Sequence, residues 1–148
     1  MKFKKISKEE FDYIFHLVPR AGVNIVVTSP EGFLLAKRVI QPFLGKWNLP
    51  GGGIFFKEPI KHAIARIAEE ELGIKVKVIK YLGMIEYVND GNRHTINSIY
   101  KVAISSGKIK NSGQSQELKF FKQVPTNTNP YQKLFLNKHL KEIISPLN

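Results

Sequence analysis

Three consecutive glycines, Gly51, Gly52 and Gly53, open a stretch that reads GGGIFFKEPIKHAIARIAEEELGI as far as Ile74, and no other stretch limits the possible folds as much. Glu58 and Pro59 mark a helix entry, since a proline in the first turn lacks only an N–H that has no partner there. Gly73 marks the stop. At about 100° per residue, Ile60, Ala63, Ile64, Ile67 and Ala68 gather on one arc, with Glu71 inside it and Glu70 at its edge. A carboxylate on a core-facing stripe is costly unless it is paired or bound to a metal. Arg66, one turn before Glu70, offers an i,i+4 ion pair worth roughly 0.3–0.5 kcal/mol, which accounts for Glu70 and leaves Glu71 without a partner. Glycines permit positive φ and close backbone approach, so a carbonyl of Gly51 or Gly52 could point at a metal held by Glu71.

This stretch resembles the signature of the Nudix hydrolases, G-x5-E-x7-R-E-U-x-E-E-x-G-U. Gly52, Glu58, Arg66, Ala68, Glu70, Glu71, Gly73 and Ile74 fall on its positions. The resemblance implies an α/β Nudix fold, a mixed curved sheet sandwiched between helices, built as a single domain over residues 1–148. It further implies a catalytic set of Arg66, Glu70 and Glu71. Where the family has a glutamate directly after the arginine, this chain has Ile67. An apolar residue there is a feature of the GDP-mannose mannosyl hydrolases, and the likeness to them continues upstream through LVPRAGVNIVV, GFLLAKR and GKWNLPGG. In that subgroup an arginine follows the glycine pair, whereas this chain has Gly53. Aligning on Phe120 and Phe121 puts Gln114 where the subgroup has a metal-ligating glutamine, and Ser115 where it has a histidine thought to act as base. Serine does not do that work unaided at neutral pH, which leaves Glu117 and Glu86 as candidate replacements.

The chain has no cysteine, so neither a disulfide framework nor a thiolate metal site is open to it. It lacks the apolar stretch of a signal peptide and any run of about 20 apolar residues, which makes a cytoplasmic protein with no membrane partner the expectation. The net charge of +11 favours an anionic partner. Because the lysines are scattered, without a basic and aromatic stripe, a nucleotide-linked small molecule is expected and nucleic acid is not.

In chain order, Ser7 to Glu10 has the form of a capping box and starts a short helix that ends at Pro19 and covers part of the domain. A hairpin follows over 21–39, turning at Ser29 to Gly32, and residues 40–46 read as a loop. Arg20 and Arg38 could reach substrate from this sheet, and the resemblance favours Arg38 as the diphosphate contact. Residues 74–88 read as one long strand or two, broken at Gly83; Asn89 to Asn92 is a turn, and 95–105 returns as a strand. His94, beside the turn, reads as a surface residue. A mobile loop over 107–117, a last strand over 118–124 and a helix from Pro130 complete the chain.

The first functional expectation is a Mg²⁺ (or Mn²⁺) dependent hydrolase of a nucleotide sugar, with oxygen ligands from Glu70, Glu71, the glycine loop and Gln114. A pyrophosphohydrolase attacking phosphorus, on ADP-ribose or a nucleoside triphosphate, is the second. A nucleotide- or RNA-binding module without turnover is the third. The resemblance allows a homodimer, although no stretch identifies an interface.

Overall fold

The β-branched run at 21–28 becomes the centre of the sheet because helices cover both of its faces. The computed structural model describes residues 3–111 and 115–146. Its elements are α1 (Lys8–Leu17), β1 (Arg20–Ser29), β2 (Gly32–Arg38), β3 (Trp47–Asn48), β4 (Gly51–Gly53), α2 (Ile60–Leu72), β5 (Lys75–Tyr87), β6 (Thr95–Ser106), β7 (Ser115–Phe121) and α3 (Pro130–Ile144). Val23, Ile25 and Val27 of β1 enter one apolar cluster with Ala63, Ile64, Ile67, Ala68 and Leu72 of α2. Val26, one residue out of phase, enters a second cluster with Leu136 and Ile143 of α3. A strand buried on both faces carries a continuous apolar run rather than an alternating one.

The seven strands form a single sheet in the order β3-β2-β1-β6-β5, with β4 added to β1 and β7 to β2. The β1–β6 pair is parallel and the remaining pairs are antiparallel, which makes the sheet mixed, as the resemblance implies. The first hairpin is paired only at its turn, Thr28 with Phe33 and Ser29 with Gly32. Beyond that point β1 exchanges β2 for β4, which brings the glycine triplet alongside Gly22 to Asn24. That exchange is what brings the glycine loop to the end of the central strand.

Several boundaries differ from those read in the sequence. β7 begins at Ser115, inside the stretch assigned to a loop, and ends at Phe121, because pairing with Lys37 and Arg38 of β2 outweighs a polar composition. β5 is one strand, and the irregularity expected at Gly83 is a register shift between Tyr81 and Gly83. Helix α1 has its capping box but buries no residue. It touches the domain through Phe11, whose ring lies under the guanidinium of Arg20 at 4.7 Å and that of Arg93 at 5.1 Å. Phe120 and Phe121 point to opposite faces, Phe120 toward the α2 side and Phe121 edge-on to Trp47 at 4.9 Å on the other. Lys101 is buried on β6, where its ammonium donates to the carbonyls of Glu142 (2.8 Å) and Ser145 (3.2 Å) and so closes the C-terminal end of α3. No helix among the described residues is long and apolar enough to cross a membrane.

Candidate active site

The glycine loop and α2 are joined by a buried ion pair that spans eight residues. Glu58 turns inward instead of opening the helix, which begins at Ile60 with Pro59 as its N-cap. Its side chain is 0% exposed. One carboxylate oxygen accepts from the Phe55 N–H (3.1 Å) and from Arg66 Nη2 (2.9 Å), and the other from Arg66 Nε (2.8 Å). His62 Nδ1 adds a contact at 2.6 Å. Burial alone would raise the Glu58 pKa, but these hydrogen bonds, those of Arg66 foremost, bring it down to about 2. Arg66 also donates to the Gly53 carbonyl at 2.8 Å and reaches Glu70 at 3.3 Å. The i,i+4 pair expected from the sequence is therefore present, but it is secondary to the bidentate pair with Glu58.

The carboxylates of α2 have different surroundings. The Glu70 side chain is 52% exposed and leans toward Arg66. Glu71 is largely withdrawn from water, and burial pushes its carboxyl up to about 7. The Gly51 N–H, which donates to it, and the nearby Arg38 charge offset only part of that effect. Among the described residues Glu71 has no ion pair. Ile67, at the position of the missing glutamate, is 2% exposed in the apolar cluster under α2. Ile60, assigned to the buried arc from its spacing, is exposed, because α2 meets the sheet only from Ala63 onward.

The pairing of β4 with β1 separates Gly51 from Gly52. Ile25 N–H donates to the Pro50 carbonyl and Ile54 N–H to the Ala21 carbonyl. Antiparallel ladders alternate, so Gly52, opposite Val23, is bound within the ladder, whereas Gly51 and Gly53 turn their polar groups away from β1. Arg66 on the Gly53 carbonyl and Glu71 on the Gly51 N–H are the visible consequence. None of the three glycines has a positive φ; what the site requires of two of them is closeness. A Cβ on Gly51 would collide with the Asn24 amide, and one on Gly53 with the Arg20 guanidinium. Gly53→Ala is therefore expected to displace Arg20 and raise KM by about tenfold, the equivalent of one charge-assisted hydrogen bond. Steady-state kinetics beside a thermal melt would check this, with the melting temperature little changed because the colliding atoms end a flexible side chain.

Next to the loop lies a polar cleft of about 130 Å³, lined among others by Arg20, Arg38, Arg93, Asp90, Gly51 and Gly52. Arg38 donates through Nε to the Pro42 carbonyl (2.7 Å) and Arg93 to the Asp90 carbonyl (3.2 Å). Among the described residues none of the three arginines has an ion pair. Burial lowers the Arg20 pKa to about 10, and the neighbouring Arg93 charge adds to that effect. Three guanidiniums thus converge on one cleft, with the Asp90 carboxylate acting on Arg20 and Arg38 and Glu71 on Arg38, and the surplus of positive charge suits an anion. The floor is a buried amide network. Tyr87 OH donates to Asn24 Oδ1 (3.0 Å), Asn97 Nδ2 donates to the same oxygen (2.7 Å), and Gln132 Nε2 donates to Tyr87 (3.0 Å). Asn24 Nδ2 in turn lies 3.4 Å from the carbonyls of Leu49 and Pro50. The network thus supports the strand that delivers the glycine loop.

The structure brings Arg20, Arg38, Gly51, Gly52 and Glu71 together, with Arg66 and Glu70 close enough for their charges to act on Glu71, and leaves Glu86 and Glu117 apart. Glu86 is tied to His94 at 2.7 Å, and neither lines the cleft. Glu117 lies opposite Lys37 on β7 and is likewise absent from the cleft. Gln114 lies outside the described residues, and of Ser115 only the backbone is described. Among the described residues no three acidic or histidine side chains converge as a metal cluster. Arg93 and Asp90 were not singled out from the sequence. The signal available was a pair of opposite charges flanking a Gly-Asn turn.

The profile of the NUDIX domain matches residues 18–144. The chain is 29% identical over 140 residues to the low-salt glycan biosynthesis protein Agl8 of Haloferax volcanii, covering 90% of each chain. It is 31% identical over 121 residues to the ADP-ribose pyrophosphatase of Methanocaldococcus jannaschii, covering 80% of this chain and 72% of that one. Among solved structures, a MutT NUDIX hydrolase from Burkholderia pseudomallei superposes with a TM-score of 0.74 at 27% identity, over 81% of this chain and 97% of that one.

Proposed function

Because the chain belongs to the Nudix hydrolase family, we propose that it is a metal-dependent hydrolase of a nucleoside diphosphate linked to a sugar, of the GDP-mannose kind. The observation that carries this reading is that α2 presents a single withdrawn carboxylate, Glu71, with Ile67 built into the core and Glu70 turned outward to Arg66. The donor set fits a hard cation, since the ligating atoms that a largely withdrawn carboxylate without an ion pair and an outward-facing Gly51 carbonyl offer are oxygens. Mg²⁺ or Mn²⁺ held by Glu71 and the Gly51 carbonyl, with Glu70 at the rim, would neutralise charge on the diphosphate. A reduced ligand set suits departure of a nucleoside diphosphate from a sugar carbon better than activation of a water at phosphorus. Arg38, next to Glu71, and Arg20 bind and orient the diphosphate. Arg66 acts at one remove, fixing Gly53 and Glu58 so that Gly51 meets Glu71. The likeness to a protein named for glycan biosynthesis supports a sugar-linked substrate.

Attack at phosphorus is the second reading, favoured by the likeness to an ADP-ribose pyrophosphatase and by the retained Glu70. Incubation with Mg²⁺ and a panel of GDP-, UDP- and ADP-sugars, ADP-ribose and nucleoside triphosphates, with products separated by anion exchange, distinguishes them. The expected products are a nucleoside diphosphate and a free sugar. A nucleoside monophosphate would move the attack to phosphorus, and no turnover on any substrate would leave a binding module.

A further inference from the structure

A hydrolase needs a proton acceptor for its water, and the cleft holds a carboxylate that lies outside the family signature. Of the cleft-lining residues described, Asp90 is the one carboxylate, and no histidine joins it. Its position is fixed by a tight turn. The Asp90 N–H donates to the Arg93 carbonyl (2.7 Å) and the Arg93 N–H to the Asp90 carbonyl (3.2 Å), with Gly91 and Asn92 at φ of 61° and 67°. Those angles fit a type I′ hairpin turn, in which both central residues take positive φ, as Gly and Asn readily do. The buried Thr95 hydroxyl donates to Asp90 Oδ2 at 2.9 Å, which orients the carboxylate and leaves Oδ1 uncommitted. Charged and titratable neighbours reach Asp90 from several elements: Arg20 of β1, Arg38 of β2, Tyr87 at the end of β5, and Arg93 of its own turn.

A carboxylate among arginines that bind a diphosphate repels that diphosphate, so its presence there calls for a role other than phosphate binding. Of the other carboxylates, Glu58 and Glu70 are engaged with Arg66 and Glu86 with His94, while Glu71 does not line the cleft and is taken by the cation in the reading above. We propose that Asp90 is the general base of this cleft, accepting the proton of the attacking water. The inference rests on the nucleotide-sugar reading above. The water oxygen bonds to the anomeric carbon as the bond from that carbon to the diphosphate oxygen breaks. The bonding pair leaves with the diphosphate, and the water proton passes to Asp90 Oδ1 and then to solvent. Nucleotide sugar and water thus give sugar, nucleoside diphosphate and one proton.

The test is Asp90→Asn and Asp90→Ala in the full chain, on the nucleotide sugar that the wild type turns over fastest. Asparagine can still accept from Thr95, so the turn is retained, and a melting curve reports any loss of fold. Asp90→Asn is expected to lower kcat about a hundredfold with KM little changed. Azide, which attacks without giving up a proton, is expected to restore turnover in Asp90→Ala and to yield a glycosyl azide. Glu86→Gln, outside the cleft, keeps the wild-type kcat. An unchanged kcat in Asp90→Asn, a rise in KM alone, or a fall in kcat that azide does not rescue each overturns the proposal. If the wild type itself releases a nucleoside monophosphate, the nucleotide-sugar reading fails instead; on that substrate an about hundredfold lower kcat in Asp90→Asn with KM unchanged keeps Asp90 as the base, now at phosphorus, and an unchanged kcat overturns it.

Discussion

Replacing Glu71 by glutamine is expected to abolish turnover and, at the same time, to raise the melting temperature of the metal-free protein. Glu71 is the one carboxylate of α2 that faces inward, and several kcal/mol of charge stabilisation go with the cation it would hold, so kcat should fall by roughly a thousandfold or more. Stability should move the other way. Burial pushes the Glu71 carboxyl from 4.5 up to about 7. The folded state therefore prefers the protonated form, and its stability is greatest below about 4.5 and declines as pH rises through about 7. At pH 8 the folded protein carries a poorly solvated charge that costs on the order of 3 kcal/mol, and glutamine removes it. In EDTA at pH 8 the Glu71→Gln variant should thus melt several degrees above the wild type. Mg²⁺ should raise the melting temperature of the wild type and leave that of the variant unchanged. A variant that melts below the wild type in EDTA, or that still responds to Mg²⁺, would place the cation elsewhere.

That opposition between stability and activity also explains why the sequence disclosed Glu71 so clearly. A glutamate on an apolar arc conflicts with a local rule, and such conflicts concentrate where a chain has a function to perform. The helix stop at Gly73, with φ of 67°, and the β-branched core of β1 were equally legible, because both follow from local geometry. Glu58 was not. Helical spacing relates residues three and four apart, whereas Glu58 meets Arg66 eight residues on, since the chain doubles back through Phe55 before the helix begins. Asp90 and Arg93 were hidden for a topological reason. The turn signal places them on a loop, but only the parallel pairing of β6 with β1, Thr95 opposite Arg20, brings that loop to the cleft. Lys101 did leave a trace, since it shares the alternation parity of Ile99 and so points inward along β6. Between Gly51 and Gly52 the sequence is silent, whereas the strand ladder binds the polar groups of Gly52 and turns those of Gly51 outward.

The second large effect is expected at Glu58, and it is one of stability. Glu58→Gln leaves the Arg66 guanidinium with the Gly53 carbonyl and a loose contact to Glu70, having lost a bidentate partner that is wholly out of water. Removing one member of a buried pair costs about 3–5 kcal/mol, and the partial exposure of Arg66 argues for about 3. The pH dependence has a definite sign. The folded-state pKa is depressed from 4.5 to about 2. The stabilisation is thus fully present above about 4.5 and is lost as pH falls through about 2. Urea titrations of the wild type and the variant should differ by about 3 kcal/mol at pH 7, with the gap narrowing steadily toward pH 3. Arg66→Met alone should cost at least as much, because it strands the Glu58 charge, whereas the double variant should recover part of the loss, giving a coupling above about 1 kcal/mol. A gap that stays constant with pH, or additive losses in the double variant, would mean that the loop is held by packing and not by this pair. Since Glu58 touches no residue of the cleft, kcat in the folded fraction should fall far less than in Glu71→Gln, and that ratio separates holding the loop in place from taking part in the reaction.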